Sequence, residues 1–341
     1  MAINAHGVKW DGITDAGIPT FMKTPLIEMG SPSIEEEKIG ELREKGVKAA
    51  VFGLPFDGTT TSRVGSSLGP RAVRHASCYF GPYYHDYGVY FAEKLNLCDC
   101  GDSYIEVGDV NRTMQYGADF AASILQAGAM PIIIGGEHTV SLAGAMGIDR
   151  ILQGKYGLIH LDCHLDADPD PDRLVYHGSQ VAAISRLESF ASENMVLIGM
   201  RGTVNDKEYW DFVESAGMTC FGMRQILELG LNNVINQALE IATRETEGFY
   251  LSIDMDVLES AYVPGAEAFT PFGLTVRELW SVLPKLGSNE KLKGFDVVEV
   301  SPRYDQSELT AMTAAGIIVE LLAARAAYVT MHLESEGNIS D

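Results

Sequence analysis

Positive charge is scarce in this sequence. Lysine and arginine number 25 against 47 aspartates and glutamates, a net charge of −22. A polyanion repels phosphate backbones and anionic headgroups, so neither nucleic acid nor an anionic membrane surface is expected as a partner. A small cation is compatible with that charge. Cysteine is also sparse. The five thiols, Cys78, Cys98, Cys100, Cys163 and Cys220, are odd in number and scattered. They offer no disulfide framework and suit a reducing cytoplasmic compartment. Cys98-Asp99-Cys100 lacks the spacing of a zinc knuckle. The N-terminus lacks the basic start and apolar core of a signal peptide. No uninterrupted apolar run reaches the roughly 18 residues that a membrane span needs. The most apolar late segment, 314–329, contains Glu320 and Arg325 and reads as a core helix. Low-complexity linkers and internal repeats are absent too.

What is present is an alternation of strands and helices. At 341 residues and 46% hydrophobic, the chain can bury a large core. Apolar runs predict strands at 47–53, 95–99, 130–134, 156–161, 194–199, 248–253 and 293–300. Helices are predicted from Gly69, at 111–129, 206–215 and 233–244, over 279–286 behind a Thr275–Glu278 capping box, and from about Glu308. Such alternation predicts an α/β body with a mostly parallel sheet and helices on both faces. Residues 1–46 read as an arm and first helix packing on that body or on a neighbouring subunit, and 47–341 as a single catalytic domain. The turn-rich stretch 54–65 is too long for a simple connection and reads as functional.

Three strand ends carry ligand-type side chains. After 156–161 come Asp162, His164 and Asp166 at every second position, so they converge if the chain stays extended. Cys163 then alternates away and reads as packing. His138 follows the strand at 130–134 behind the paired glycines Gly135-Gly136. Asp254 and Asp256 follow the strand at 248–253. In a parallel sheet these ends share one edge. Alone, each has a bland reading: a solvated acidic loop, a packed histidine, a helix-cap aspartate. Together, four acids and two histidines suit two hard or borderline divalent cations such as Mn²⁺. Such a pair lowers the pKa of a shared water and holds hydroxide ready to attack.

Those residues carry a resemblance. Gly135-Gly136-Glu137-His138, Asp162-Cys163-His164-Leu165-Asp166 and Ser252-Ile253-Asp254-Met255-Asp256 with Pro264-Gly265 resemble the three metal signatures of the ureohydrolases, the group of arginase, agmatinase and guanidinobutyrase. The stretches 17–22, 53–57, 69–71 and 296–302 resemble the agmatinase-like branch. The resemblance implies a three-layer α/β/α sandwich with a mostly parallel central sheet, and two divalent metals. Mn²⁺ leads, with Ni²⁺ as the alternative. One metal would take His138, Asp162, Asp166 and Asp254, the other Asp162, His164, Asp254 and Asp256. It further implies that Glu299 grips a guanidinium and that His177 protonates the departing amine. The reaction implied is hydrolysis of a guanidino C–N bond to an amine and urea.

The pocket wall departs from the resemblance. Glu137 stands for the usual Asp and Cys163 for Ala. Gln180-Val181 replaces a pair carrying an aromatic, and Ala266-Glu267-Ala268-Phe269 replaces Thr-Gly-Thr-Pro. Gln180, Glu267 and Phe269 are therefore the expected substrate-pocket residues. The substrate expected is a small cationic guanidino compound, either agmatine- or guanidinobutyrate-like or an unusual small guanidine. The alternatives are free guanidine or an alkylated biguanide such as metformin, hydrolysed with nickel, and a supporting subunit of a hetero-oligomer. A single-zinc deacetylase would leave the second Asp-x-Asp pair unexplained. The assembly implied is a homo-oligomer, trimer or hexamer.

Overall fold

The structure is a computed structural model and describes residues 17–268 and 270–337, with side chains through residue 331. Among the described residues ten strands run in chain order: β1 (Ala49–Leu54), β2 (Tyr83–Tyr84), β3 (Val89–Tyr90), β4 (Cys98–Asp102), β5 (Met130–Gly135), β6 (Tyr156–Leu161), β7 (Phe190–Ile198), β8 (Thr219–Phe221), β9 (Gly248–Asp254) and β10 (Leu292–Val298). Eight of them form one sheet in the order β4-β1-β5-β10-β9-β6-β7-β8. Every pairing in it is parallel. The pair β2–β3 is a separate antiparallel hairpin.

The three layers follow from side-chain alternation. On β5, Ile132 and Ile134 enter one core with Val73, Leu279, Leu283, Ile318 and Leu322 from the helices on that face. Ile133, between them, enters the other core with Phe120, Ile124, Ala143 and Ile148. Strands buried on both faces read as unbroken apolar runs, which is why β1, β5, β6 and β9 were legible. Each such side chain contributes about 1.5–3 kcal/mol of burial.

Several boundaries differ from the sequence expectation. The fourth strand is Cys98–Asp102, because Phe91–Lys94 is helical just before it. The last strand stops at Val298, which leaves Glu299 beyond its end. The helix Ser141–Ile151, rich in glycine and alanine, carried no clear periodic signal. The long final helix, Leu309–Gly337, packs into the body. Its stretch Leu309–Met331 is long and apolar enough to span a bilayer by length and composition, yet 72% of its most apolar window is buried. Glu320, in its middle, accepts from Tyr87 Oη at 2.5 Å, Trp280 Nε1 at 2.8 Å and Tyr84. From Gly17 the arm lies against the body: Phe21 N–H donates to Asp99 Oδ2 at 2.7 Å and Met22 N–H to Ser77 Oγ at 2.7 Å.

Because the sheet is wholly parallel, all its strands end at one edge. The loops after β1, β5, β10, β9 and β6, five consecutive neighbours, meet there.

Candidate metal centre

Tight backbone turns build the floor of this edge. After β5 the chain must pass over the loop that follows β1, and a side chain on Gly136 would place its Cβ 1.9 Å from Phe56 O. Only glycine permits that approach. Gly136 N–H bonds Leu54 O at 2.9 Å and Glu137 N–H bonds Phe56 O at 2.8 Å, so the two loops are stitched together. Asp166 and Glu299 take positive φ, 48° and 65°. For side-chain-bearing residues that costs about 1–2 kcal/mol each, and such strain concentrates at functional sites.

The six residues expected as ligands converge. His138 Nδ1 lies 2.8 Å from Asp162 Oδ2, 3.2 Å from Asp166 Oδ2 and 3.0 Å from Asp254 Oδ2. His164 Nδ1 lies 3.3 Å from Asp162 Oδ1 and 3.0 Å from Asp256 Oδ2. Asp162 thus turns one oxygen to each histidine. All but His164, which is part-buried, are buried.

Donor directions around His138 favour a metal ligand. Ser252 Oγ donates its proton to Asp296 Oδ1 at 2.8 Å. It therefore accepts from His138 Nε2, 2.7 Å away, and Nδ1 is left facing the acids. Ser252 and Asp296 stand in stretches that carry the resemblance, but the sequence assigns neither a role at the site. An aspartate inside an otherwise apolar strand was the available signal. His160 was overlooked as well. It precedes Asp162 by two, stacks on His138 with ring centroids 4.7 Å apart, and brings Nε2 within 3.1 Å of Asp162 Oδ2. Strand periodicity alone places it on the side that Asp162 faces.

Above the acids lies a cavity of about 300 Å³, lined in part by His164, Asp166, Asp254, Asp256, His177 and Glu299. His177 Nδ1 is 3.4 Å from Glu299 Oε1, and Glu299 Oε1 also accepts from His138 N–H at 2.7 Å. The pocket-wall residues fare differently. Gln180 is fully buried beneath the wall, in the first turn of the helix Gln180–Ile184, and gives its amide to Asp166. It holds a candidate ligand and does not line the cavity. Glu267 is fully buried beside His177. Phe269 lies outside the described residues. Cys163 does not turn away from the ligands. The strand ends at Leu161, alternation lapses, and its buried Sγ sits 3.4 Å from His164 Nδ1. Glu137 is accommodated by Thr59 N–H at 2.9 Å, Thr139 Oγ1 at 2.7 Å and the Thr59 hydroxyl.

The electrostatics call for a cation. Burial opposes charge on His138, yet Asp162, Asp166 and Asp254 hold its pKa well above the usual histidine range. Burial, Asp256 and Asp162 drive Asp254 well above the carboxylate range. Burial, Glu267 and Asp254 do the same to Glu299. His177 is lowered by burial, against the pull of Asp166. His138 Nδ1, Asp162 Oδ2 and Asp256 Oδ2 are buried without a hydrogen-bond partner. Buried acids so arranged are costly unless positive charge sits among them. Nitrogen and oxygen donors of this kind fit hard or borderline divalent ions.

Residues 47–324 match the Arginase family. The chain belongs to that family. Its similarity to single relatives is lower but extends over most of the length. It is 29% identical over 308 residues to proclavaminate amidinohydrolase of Streptomyces clavuligerus, covering 90% of this chain and 93% of that one. The solved structure of that enzyme superposes with a TM-score of 0.82 at 28% identity, covering 92% of this chain and 99% of the other. An agmatinase of Salmonella paratyphi B is 30% identical over 279 residues, covering 81% of this chain and 87% of its own. Enzymes of the arginase family hydrolyse C–N bonds of linear amidines. The wholly parallel sheet between two helical layers is that family's fold.

Proposed function

We propose that this chain hydrolyses a guanidino compound to urea and an amine at a pair of divalent cations. His138, Asp162, Asp166 and Asp254 would hold one ion, and Asp162, His164, Asp254 and Asp256 the other. Manganese is the first expectation and nickel the alternative, since these donors suit both. The observation that carries the reading is Asp162, whose two oxygens reach His138 on one side and His164 on the other.

Two ions held there would supply a water of lowered pKa. The chain's own residues do the rest. Glu299 accepts hydrogen bonds from the guanidinium and fixes its plane. The guanidino carbon accepts the water's oxygen, the C–N bond to the substituted nitrogen breaks, and that oxygen becomes the urea carbonyl. His177 carries the proton that the departing amine needs; its Nδ1 faces Glu299 and the cavity. The cavity lining contains no lysine or arginine among the described residues, while Asp206 stands in its wall. The adjoining side lobe does carry Arg63, so amine-tailed or uncharged substituents are favoured over carboxylates in the main cavity and not in that lobe.

A panel of agmatine, 4-guanidinobutyrate, free guanidine and alkylated biguanides, assayed for urea or amine release with Mn²⁺ and with Ni²⁺, tests this reading. Two bound metals without turnover of any guanidino compound would defeat it and would favour a supporting subunit.

A further inference from the structure

A second group of acids lies next to the six ligands. His177, Glu267 and Glu299 bring ligand-type atoms within 4.8 Å of one another. Glu267 Oε1 is 3.8 Å from His177 Nδ1, and Glu299 Oε1 is 3.4 Å from it. The two glutamates are neighbours because Glu267 N–H bonds Glu299 O at 3.2 Å, beside the bridge between Ala266 and Val300. Ser66 Oγ donates to Glu267 Oε2 at 2.7 Å and fixes that carboxylate. Its other oxygen, Oε1, is buried without a partner, and so is Glu299 Oε2.

Two adjoining buried carboxylates, each with an oxygen left unbonded, are built for a cation with several N–H groups. Glu267 also borders a side lobe of about 210 Å³ that shares Ser62, His164, Val204 and Ala268 with the main cavity. A planar guanidinium has three edges, each with two parallel N–H groups, while its carbon is attacked from the face. One carboxylate can take one edge.

We propose that Glu267 is a second guanidinium-gripping carboxylate, which with Glu299 holds the substrate cation by two of its three edges. This rests on the reading above and names its substrate class. Only one edge remains for a substituent, so the site selects free or monosubstituted guanidinium ions. Two methyl groups on one nitrogen block two edges and leave a single edge to grip.

The test uses the metal-loaded protein and three probes: guanidinium, methylguanidinium and N,N-dimethylguanidinium at millimolar concentration, with dissociation constants from calorimetry. The wild type is expected to bind the first two about tenfold more tightly than the third. Glu267→Gln, which keeps the shape and the Ser66 contact but removes the charge, should weaken methylguanidinium by about tenfold. It should also erase the discrimination, at unchanged metal content. In turnover of a monosubstituted guanidine the same variant should raise KM more than it lowers kcat, which a merely structural glutamate would not do. Equal binding of methyl- and dimethylguanidinium by the wild type overturns the proposal, even if the variant does not fold. So does discrimination that survives in Glu267→Gln. Urea release by the wild type decides the parent reading separately: turnover without discrimination sinks the second grip alone, and absence of both sinks the two together.

Discussion

Thr61 donates its backbone N–H to Nε2 of His177 across 3.0 Å. A ring nitrogen that accepts a hydrogen bond carries no proton, so the neutral ring is protonated on Nδ1. That nitrogen points to Glu299 Oε1. The loop after β1, whose length marked it as functional, therefore sets the tautomer and the orientation in which the neutral His177 ring is held.

Deleting that donor should release the tautomer and the orientation of His177. Thr61→Pro is expected to lower kcat by about 10²-fold with metal content intact. Thr61→Ala loses only the hydroxyl, 2.8 Å from the same nitrogen, and should stay within about threefold of the wild type. Steady-state kinetics beside metal analysis checks both, and equal losses in the two variants would remove the backbone donor from the account.

Among the described residues, Asp162 is the one side chain that reaches both His138 and His164. Asp162→Ala should reduce bound metal from about two ions per chain to less than one and lower kcat by about 10³-fold or more. Elemental analysis and urea release measure the two effects. Dialysis of the wild type against a chelator should abolish turnover, and added Mn²⁺ should restore it.

How far the sequence carries this site depends on chain geometry. His138, Asp162 and Asp254 were legible because each follows an apolar run, and parallel strands must end together. Cys163 was misplaced because period-two reasoning was extended past Leu161, where the strand stops. A helix turn hides which side faces in, so the sequence puts Gln180 in the wall, whereas its amide faces Asp166. Asp296 and Ser252 lie one strand apart, on β10 and β9. No local pattern shows that pairing, since strand order is a long-range property of the fold. Among the fold elements, β8 has three residues and the hairpin strands two each, too short for any periodicity to register.

The link from Asp296 through Ser252 to His138 yields a prediction about metal affinity. Asp296→Ala removes the acceptor that orients Ser252 and hence the imidazole. Metal affinity should fall by about 10–100-fold, while the far-ultraviolet circular dichroism spectrum stays the same. Titration with a competing chelator measures it. Unchanged affinity would mean that the acids alone orient His138.

Glu137 gives the metal-free protein a pH signature. Burial raises its pKa to about 7 from the ordinary 4.5, although hydrogen bonds from Thr59 and Thr139 pull downward. The folded carboxyl thus binds its proton more tightly than the unfolded one. Its contribution is complete below pH 4.5 and is lost as pH rises through about 7. Against Glu137→Gln, which does not titrate, chelated wild-type protein should lose on the order of 3 kcal/mol across that window. Urea melts of both proteins at several pH values test the slope, and a pH-independent difference would refute it.

The last prediction concerns the arm and the outer strand β4. Arg74 Nε and Nη2 bond Asp99 Oδ2 and Oδ1 at 2.7 and 2.9 Å, and the same Oδ2 accepts from Phe21 N–H. Burial disfavours the Arg74 charge, but Asp99 and Asp102 hold its pKa above the ordinary arginine value. Asp99→Ala leaves a buried guanidinium with one acid, Asp102, and frees an arm amide, so it should cost about 3–5 kcal/mol. Glu41 and Lys45 also pair, at 2.7 Å, but their side chains are 32% and 46% exposed. Water already screens that pair, and Glu41→Ala should cost no more than about 0.5 kcal/mol. Urea denaturation of both variants decides the matter: similar losses would mean that burial does not set the worth of these ion pairs.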